Sequence, residues 1–217
     1  MHYRLETNDW NTISAVFHGD EYRLPRGLSG LALDIGAYIG PVSVALALDN
    51  PDLDITAVEP VPDNLRLLRL NLETNGLAQR VQVIPAACGG PDQETATIRW
   101  GFTGSEVAEH HAFVGNSSLY TTHATGFESA EIPAFPLSAL APGPVAWLKI
   151  DVEGAEYAIL TDRAVARCDV ITGEYHPETP FGGTGGRQDI LRLLGETHHV
   201  SFTGPVRGPG GFRAERR

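Results

Sequence analysis

The sequence predicts an α/β fold in which a mostly parallel sheet carries helices on both faces. Short apolar runs alternate along the chain with segments rich in leucine and alanine, and such alternation is typical of parallel sheets. An acidic residue follows four of the five predicted central strands; these residues are Asp34, Glu59, Asp151 and Glu174. Because ligands of parallel sheets bind beyond the carboxyl ends of the strands, the pattern indicates a polar site along one edge.

The length and composition favour one globular domain. The 217 residues are 42% hydrophobic, enough for a sizeable core; residues 1–30 are expected to form a cap segment and residues 31–217 the main domain. A net charge of −11 argues against a nucleic-acid partner, which would require a basic face. No apolar run approaches the ~18 residues of a membrane span, and residues 1–6 lack the apolar core of a secretory signal, so a cytoplasmic protein without membrane contact is expected. Cys88 and Cys168 are expected to be buried free thiols.

The N-terminal segment is expected to contribute a helix or a strand that packs on the core before the first central strand. Its aromatic residues are Trp10, Phe17 and Tyr22. Such residues are common core anchors, so we favour packing for them. The alternative is that they form a roof over a substrate pocket.

The first predicted strand, residues 31–35, leads into a tight turn that contains Gly36 and Gly40. Gly36 can adopt backbone angles closed to other residues, and the missing side chains of both glycines let a ligand or a strand approach the backbone. The next segment predicts a helix with Pro41 at its first position, where the missing N–H costs nothing. Strand, turn and helix N-terminus together predict a nucleotide-type site.

The second predicted strand, residues 53–58, ends at Glu59. A carboxylate at this place can accept hydrogen bonds from both ribose hydroxyls of an adenosine, whether in NAD or in S-adenosylmethionine. The preceding turn lacks the full Gly-x-Gly-x-x-Gly pattern of dinucleotide sites, and Asp34 at its start would repel a diphosphate. The combination favours a cationic cofactor that carries an amino acid.

The remaining elements alternate in the same way. A leucine-striped helix is predicted at residues 65–74, where Asn75 and Gly76 end it. Strands are predicted at 81–87, 95–100, 146–151 and 169–174. Residues 151–156 are expected to turn into a helix that runs to about 166, a further helix is predicted at 188–194, and a closing hairpin at 199–203 and 211–214. Residues 101–128 show no clear period and are expected to form a loop that carries substrate specificity.

Four segments give the chain a resemblance to a known family: LDIGAYIG at 33–40, AVEP at 57–60, LRLLRLNL with NG at 65–76, and LKIDVEGAE at 148–156. The sequence is similar to class I S-adenosylmethionine-dependent methyltransferases and, within them, resembles the FkbM family. The resemblance implies a Rossmann-like seven-stranded sheet whose last strand is antiparallel. Since members of this family commonly methylate hydroxyl groups of natural products and sugars, the implied activity is O-methylation in natural-product biosynthesis.

The resemblance also implies a set of cofactor-binding residues, namely Asp34, Gly36, Tyr38, Gly40, Glu59, Ala87 and Asp151. The acid and the two glycines of the first turn would border the methionine portion, Glu59 would hold the ribose hydroxyls, and residues 86–88 would lie near the adenine. Tyr38 stands where the family usually has Asn. Its phenol is therefore expected either to replace a polar contact to the amino-acid end of the cofactor or to leave that contact missing.

A hydroxyl acceptor has to lose its proton, and several residues could act as the base. His176 is preferred because the ordinary pKa of histidine suits a base. The other candidates are Asp151, Glu153 and Glu174 at the strand ends, and His110, His111 and His123 in the loop. Alternatively, Asp151, Glu153 and Glu174 could hold Mg²⁺ or another divalent cation that acidifies the hydroxyl. Burying these acids together without a cation would be costly.

Two other functions remain open from the sequence. A nicotinamide-dependent oxidoreductase would use the same Glu59, and a non-catalytic cofactor-binding protein would keep the fold without turnover. In the methyltransferase interpretation the partner is a small-molecule acceptor. The sequence does not determine the oligomeric state and is compatible with a homodimer.

Overall fold

A seven-stranded sheet forms the centre of the structure, a computed structural model that describes residues 1–19, 21–100, 128–152, 154–176, 186–204 and 210–217. In chain order the elements are α1 (Asp9–His18), β1 (Gly30–Ile35), α2 (Pro41–Asp49), β2 (Leu53–Val58), α3 (Pro62–Thr74), β3 (Val81–Ile84), β4 (Ala87–Gly89), β5 (Thr95–Trp100), β6 (Glu128–Pro136), α4 (Leu137–Leu140), β7 (Trp147–Ile150), α5 (Glu156–Leu160), β8 (Val170–Tyr175), α6 (Arg187–Leu194), β9 (His198–Phe202) and β10 (Gly210–Arg216). A 3₁₀-helix at Arg163–Arg167 follows α5. Most of the predicted 101–128 loop lies outside the described residues.

The strand order of the large sheet is β3-β2-β1-β7-β8-β10-β9. Neighbouring strands from β3 to β8 are parallel, whereas β10 runs antiparallel to both β8 and β9. This confirms the predicted seven-stranded sheet with an antiparallel last strand, and the predicted closing hairpin. The order reverses between β1 and β7, and the crevice at such a reversal is the usual ligand site of open α/β sheets.

Helices cover both faces of this sheet, as predicted. On one face, Leu33 and Ile35 pack with buried residues of α5 and α6. On the other face, Ala32 and Trp147 pack with buried residues of α2 and α3. Because side chains alternate along a strand, each buried strand supplies both layers of the core. Within the described part of the chain, none of the helices has the length and apolar character needed to cross a bilayer.

The glycines of the first turn are required by close contacts within the chain. Gly36 has a φ of +79°, and a Cβ there would lie 1.9 Å from the carbonyl oxygen of Asp151. Gly40 has a φ of +91°, and its Cβ would lie 2.5 Å from Cδ1 of Leu68. The group that approaches Gly36 is therefore the chain after β7, and Pro41 begins α2 as predicted.

A second, three-stranded sheet has the order β4-β6-β5, and the sequence analysis missed its longest strand, β6. The predicted single strand at 81–87 was wrong, because Pro85 has no N–H to continue the ladder. The chain leaves the large sheet at Ile84, and Ala87 pairs with Ala134 of β6 instead. The two prolines of β6, Pro133 and Pro136, made that segment a poor strand candidate.

The helix predicted after the 151–156 turn begins at Glu156 but does not run to about residue 166, since the chain breaks it at Asp162. This residue adopts extended backbone angles, with ψ of 134°. Its carboxylate accepts the backbone N–H groups of Ala164 and Ser138. Aspartate competes with helix formation through such local hydrogen bonds. The result is a short α5 followed by a separate 3₁₀-helix.

The N-terminal segment forms a helix, α1, one of the two expected structures. Ile13 and Val16 occupy its inner face. Trp10 and Phe17 are therefore exposed, which corrects the expectation that they pack in the core, while Tyr22 is buried. The two cysteines of the chain are free and buried, as predicted.

A glycine-to-alanine pair tests the close approach at the first turn. Gly36→Ala should lower the free energy of unfolding by roughly 4 kcal/mol or more, because it adds a backbone clash to the left-handed φ. Gly76→Ala has a similar φ, +71°, with no atom within 4 Å of its Cβ, so it should cost only about 1 kcal/mol. Urea titrations compare the two variants, and equal losses would contradict the assigned clash.

Candidate active site

A cavity of about 330 Å³ lies at the carboxyl ends of the central strands. Gly36, Glu59, Asp151 and Glu174 line its sheet side. Helix α1 lines the opposite side through residues Asn8, Asn11, Thr12 and Ala15. The structure thus places a polar cavity at the predicted sheet edge, with the N-terminal segment as its roof.

Glu59 is a buried carboxylate held by three donors. Its Oε2 accepts the backbone N–H of Tyr38 at 2.9 Å. Its Oε1 accepts the backbone N–H of Val61 at 2.9 Å and the amide of Asn64 at 3.2 Å. Burial raises the pKa of Glu59 to about 7, although these hydrogen bonds favour the ionised form. A carboxylate offers about four acceptor positions, so capacity remains for a hydroxyl donor from a ligand.

Tyr38 faces Glu59 with its backbone and helix α1 with its side chain. Its φ is +55°, in the left-handed region that bulky residues rarely adopt. The phenol donates a hydrogen bond to Asp9, and the guanidinium of Arg4 lies 5.5 Å from the ring centroid. Burial, and then the contact with Asp9, raise the pKa of Tyr38 well above its ordinary value. The phenol is therefore committed to helix α1.

Arg4 and Asn64 complete a closed set of contacts around Glu59 and Tyr38. One Nη atom of Arg4 contacts Asp9 and Asn64, each at 2.9 Å, and Asn64 in turn donates to Glu59. Burial opposes ionisation of Asp9, but hydrogen bonds from Arg4 and Tyr38 outweigh it and lower the pKa of Asp9. Sequence reasoning missed Arg4, Asp9 and Asn64, since the contacts that bring them to the site, Arg4 with Asn64 and Asp9 with Tyr38, join residues 60 and 29 positions apart.

Asp34 and Gly40 are not among the residues that line the cavity. The carboxylate of Asp34 is fully buried; its Oδ2 accepts the hydroxyl of Ser43 at 2.6 Å. Its neighbours in β1 point to the α5 and α6 side, so strand alternation turns Asp34 towards α2. Gly40 faces Leu68 of α3. Both residues therefore support the turn from beneath, while Gly36, Tyr38, Glu59, Ala87 and Asp151 line the cavity.

Lys149 is a buried cation at the centre of the acidic strand ends. Its Nζ donates to the carbonyl of Gly36 at 2.6 Å and lies 3.5 Å from Asp34 and 3.6 Å from Asp151. Burial opposes its charge, but the surrounding carboxylates outweigh this and raise the pKa of Lys149. Asp151 also accepts the hydroxyl of Tyr22 at 2.9 Å. Asp151 is thus engaged by a cation and a phenol of the chain itself.

Glu174 lines the cavity at the end of β8 and, among the described contacts, makes no ion pair with Lys149. Burial, followed by the charges of Asp151 and Glu21, raises the pKa of Glu174 to about 7. Burial and the charge of Asp151 also raise the pKa of Glu21, which shares a hydrogen bond with Glu174. Because like charges this close disfavour each other, ionisation of one of the two carboxyl groups opposes ionisation of the other.

His176, the preferred base of the sequence analysis, lies behind Glu174. Its Nδ1 is 2.8 Å from Oε1 of the fully buried Glu156, and its Nε2 is 3.9 Å from Oε2 of Glu174. Among the described residues that line the cavity, the ionisable groups at this end include Glu174 but not His176. The histidine can thus influence Glu174 electrostatically, and Glu174 faces the cavity.

The predicted metal site has no support in the described part of the chain. No group of three or more His, Cys, Asp or Glu side chains among the described residues could hold a metal ion. Asp151 is occupied by Lys149 and Tyr22, which explains why it does not join such a group. Glu153, the third proposed ligand, lies outside the described residues, as do His110, His111 and His123.

A family comparison decides the class of protein. Residues 34–201 match the model of the methyltransferase FkbM domain. The chain belongs to the FkbM methyltransferase family. The match includes the Glu59 strand end and the segment of Asp151 and Glu174, so the sheet side of the cavity lies within the matched region, whereas helix α1 lies outside it. The protein is therefore an S-adenosylmethionine-dependent methyltransferase.

Solved structures of other methyltransferases share the fold. A precorrin-6y C5,15-methyltransferase from Geobacter metallireducens is 15% identical, with a TM-score of 0.53 over 100% of this chain and 93% of that one. A putative rRNA methylase from Clostridium thermocellum is 10% identical, with a TM-score of 0.54 over 99% and 98%. A putative O-methyltransferase from Klebsiella pneumoniae is 14% identical, with a TM-score of 0.50 over 100% and 83%. Among curated proteins, no sequence matches the FkbM-family chain significantly.

The FkbM-family cavity fits an S-adenosyl cofactor in its chemistry. Glu59 is a buried hydrogen-bond acceptor, suited to ribose hydroxyls, and Ala87 and Cys88 add small uncharged surface to the same cavity. The carboxylates of Asp151 and Glu174 favour a cationic ligand over an anionic one. The acids at this edge would repel a diphosphate. The cation Lys149 would not offset this repulsion, because carboxylates already surround it.

The raised pKa of Glu59 predicts how stability depends on pH in the ligand-free protein. Because its folded-state pKa is about 7 instead of 4.5, its stabilising contribution is complete at low pH and is lost as the pH rises through 7. For this residue the loss between pH 5 and pH 8 is on the order of 2 to 3 kcal/mol. Urea titrations across that range should show a correspondingly flatter profile for Glu59→Gln.

Glu73→Gln is the control for this experiment, since it removes an exposed carboxylate of helix α3. It should keep the wild-type dependence of the unfolding free energy on pH. If Glu59→Gln kept that dependence as well, burial of Glu59 would not be its source.

Proposed function

We propose that this protein methylates a hydroxyl group of a small, uncharged or cationic acceptor, such as a natural product or a sugar. The observation that carries the proposal is one cavity that contains Glu59 for the cofactor and Glu174, a carboxylate with a pKa of about 7, for the acceptor. The acidic cavity and the net charge of −11 both disfavour a nucleic acid as the acceptor.

Glu59, Ala87 and Cys88 would hold the adenosine part of the cofactor, through hydrogen bonds to the ribose and contact with the base. When bound, S-adenosylmethionine supplies an electrophilic methyl group on a cationic sulfur. Lys149 lies 3.6 Å from Asp151 at the adjacent strand end, and Tyr22 fixes the orientation of that carboxylate. These residues bind and orient, and much of the rate of such a transfer can come from orientation.

Glu174 is the base in this proposal. A general base works best when its pKa lies near the working pH, and burial together with Asp151 and Glu21 brings the pKa of Glu174 to about 7. Asp151 is less available to an acceptor, because Lys149 lies 3.6 Å from its carboxylate and the hydroxyl of Tyr22 donates to it. His176 lies behind Glu174 and favours ionisation of that residue through its charge.

Cofactor binding should release a proton from Glu59, since hydroxyl donors favour the ionised carboxylate. With a pKa of about 7 in the free protein, S-adenosylhomocysteine should bind roughly tenfold more tightly at pH 8 than at pH 6. Calorimetric titrations in buffers of different ionisation enthalpy measure both the affinity and the released protons. Glu59→Gln should weaken binding and remove the pH dependence.

NAD is the matched ligand control, because it also carries an adenosine ribose, and it should not bind. Failure of the wild-type protein to bind S-adenosylhomocysteine at either pH would overturn the proposed cofactor site. Cofactor binding without turnover on any acceptor would instead support the non-catalytic alternative.

Substitution of Glu174 tests the proposed base. Radiolabelled methyl transfer to a panel of alcohols, phenols, sugars and amines identifies the acceptor class, and Glu174→Gln should then lower kcat by about 10²- to 10⁴-fold. His176→Gln should lower kcat less and move its rise with pH to higher pH, because the nearby positive charge lowers the pKa of Glu174.

The control for both variants is their affinity for S-adenosylhomocysteine, which should stay close to that of the wild type. A Glu174→Gln variant with unchanged kcat would rule out Glu174 as the base. Transfer to amines in preference to hydroxyls would rule out O-methylation.

A further inference from the structure

Tyr38 makes a hydrogen bond to each of two sides of the cavity. Its backbone N–H donates to the cofactor acid Glu59 at 2.9 Å, and its phenol donates to Asp9, at the start of helix α1. Asp9 lies 29 positions away and is fully buried. One residue therefore contacts both the floor and the roof of the cavity.

The roof is part of the site, because helix α1 lines the cavity directly through Asn8, Asn11, Thr12 and Ala15. Its apolar anchoring is limited to Ile13 and Val16, while its outer face exposes large apolar side chains. A helix held by so few apolar contacts depends on its polar contacts for position. The polar contacts at its start are those of Asp9 with Arg4 and Tyr38.

The backbone conformation of Tyr38 indicates that its side chain has a structural role at this position. The left-handed φ of +55° is unfavourable for a bulky residue. The N–H that contacts Glu59 would be supplied equally by asparagine or glycine, which adopt this conformation more easily. What only tyrosine supplies here is a phenol long enough to reach Asp9 and a ring beneath Arg4.

We propose that Tyr38 is a positioning residue whose phenol holds helix α1 closed over the cofactor, so that retention of the cofactor depends on the contact between Tyr38 and Asp9. The proposal rests on the proposed function, since it takes the occupant of the cavity to be the S-adenosyl cofactor. Hydrogen bonds join Asp9 to Arg4, Arg4 to Asn64, and Asn64 to Glu59. The roof and the ribose acid are therefore connected by one continuous series of contacts. Bound cofactor at Glu59 and a closed helix α1 therefore stabilise each other.

The test uses Tyr38→Phe, which keeps the ring and removes only the hydroxyl. Stopped-flow measurement with S-adenosylhomocysteine should show a dissociation rate constant raised about tenfold, as expected for loss of a hydrogen bond to a charged group, and a smaller change in the association rate constant. Tyr38→Asn should show the same acceleration although it relaxes the backbone. Asp9→Asn should act on the same step, and the double variant Tyr38→Phe with Asp9→Asn should be far from additive.

Tyr3→Phe is the matched control, because Tyr3 belongs to the same N-terminal segment and its side chain is exposed against Trp10. It should leave both rate constants unchanged. A second readout needs no ligand: backbone amides of helix α1 should exchange hydrogen about tenfold faster in Tyr38→Phe than in the wild type or in Tyr3→Phe.

The outcomes separate this proposal from the proposed function. If the wild type binds S-adenosylhomocysteine and Tyr38→Phe releases it at the wild-type rate, the positioning role is overturned, whatever happens to thermal stability. If Tyr38→Asn restores slow release, the backbone and not the phenol is responsible, and the proposal is also overturned. If the wild type does not bind S-adenosylhomocysteine at all, the proposed function falls, and the coupling falls with it.

Discussion

One buried ammonium group, that of Lys149, holds the switch point of the sheet together. It bonds to the carbonyl of Gly36 and lies within 3.6 Å of carboxylates on two adjacent strand ends. Without this cation the carboxylates of Asp34 and Asp151 would share a buried space, at a cost of several kcal/mol. The approach of the chain after β7 to Gly36 depends on the same neutralisation, so the shape of the cavity does too.

The distribution of charge around Lys149 separates the acids into two groups. Asp34 and Asp151 have the buried ammonium beside them, and Asp9 has Arg4. Glu59 and Glu174 have no arginine or lysine side chain in ion-pair contact among the described residues, and burial brings the pKa of each to about 7. The buried cations thus lie beside the three aspartates. The pKa of about 7 lets Glu59 and Glu174 gain and lose a proton at neutral pH. Such a pKa suits the role proposed for Glu59, which is to accept hydrogen bonds from hydroxyl groups. It also suits the role proposed for Glu174, which is to accept a proton.

The sequence predicted the parts of the structure that depend on local patterns. Periodicity and strand-end acids gave the sheet and the edge on which the cavity lies, because both follow from alternation within a few residues. The break at Asp162 and the departure at Pro85 were missed, since long-range pairing of β4 with β6 and the hydrogen bond to Ser138 decide them. Asp34 is buried beneath the turn because side chains alternate between the two faces of β1. A motif match alone does not show which face a residue occupies.

The position of Tyr38 shows how a family site can acquire a contact of its own. The site needs only a backbone N–H here, directed at Glu59 in a left-handed turn, and any residue except proline supplies it. The side chain is therefore free to differ without loss of that hydrogen bond. In this chain the difference is a phenol, and it brings Asp9 and Arg4, more than 25 positions away, into the structure around the ribose acid. Helix α1 lies outside the matched region of the family, so Tyr38, inside that region, contacts a part of the chain that the family model does not cover.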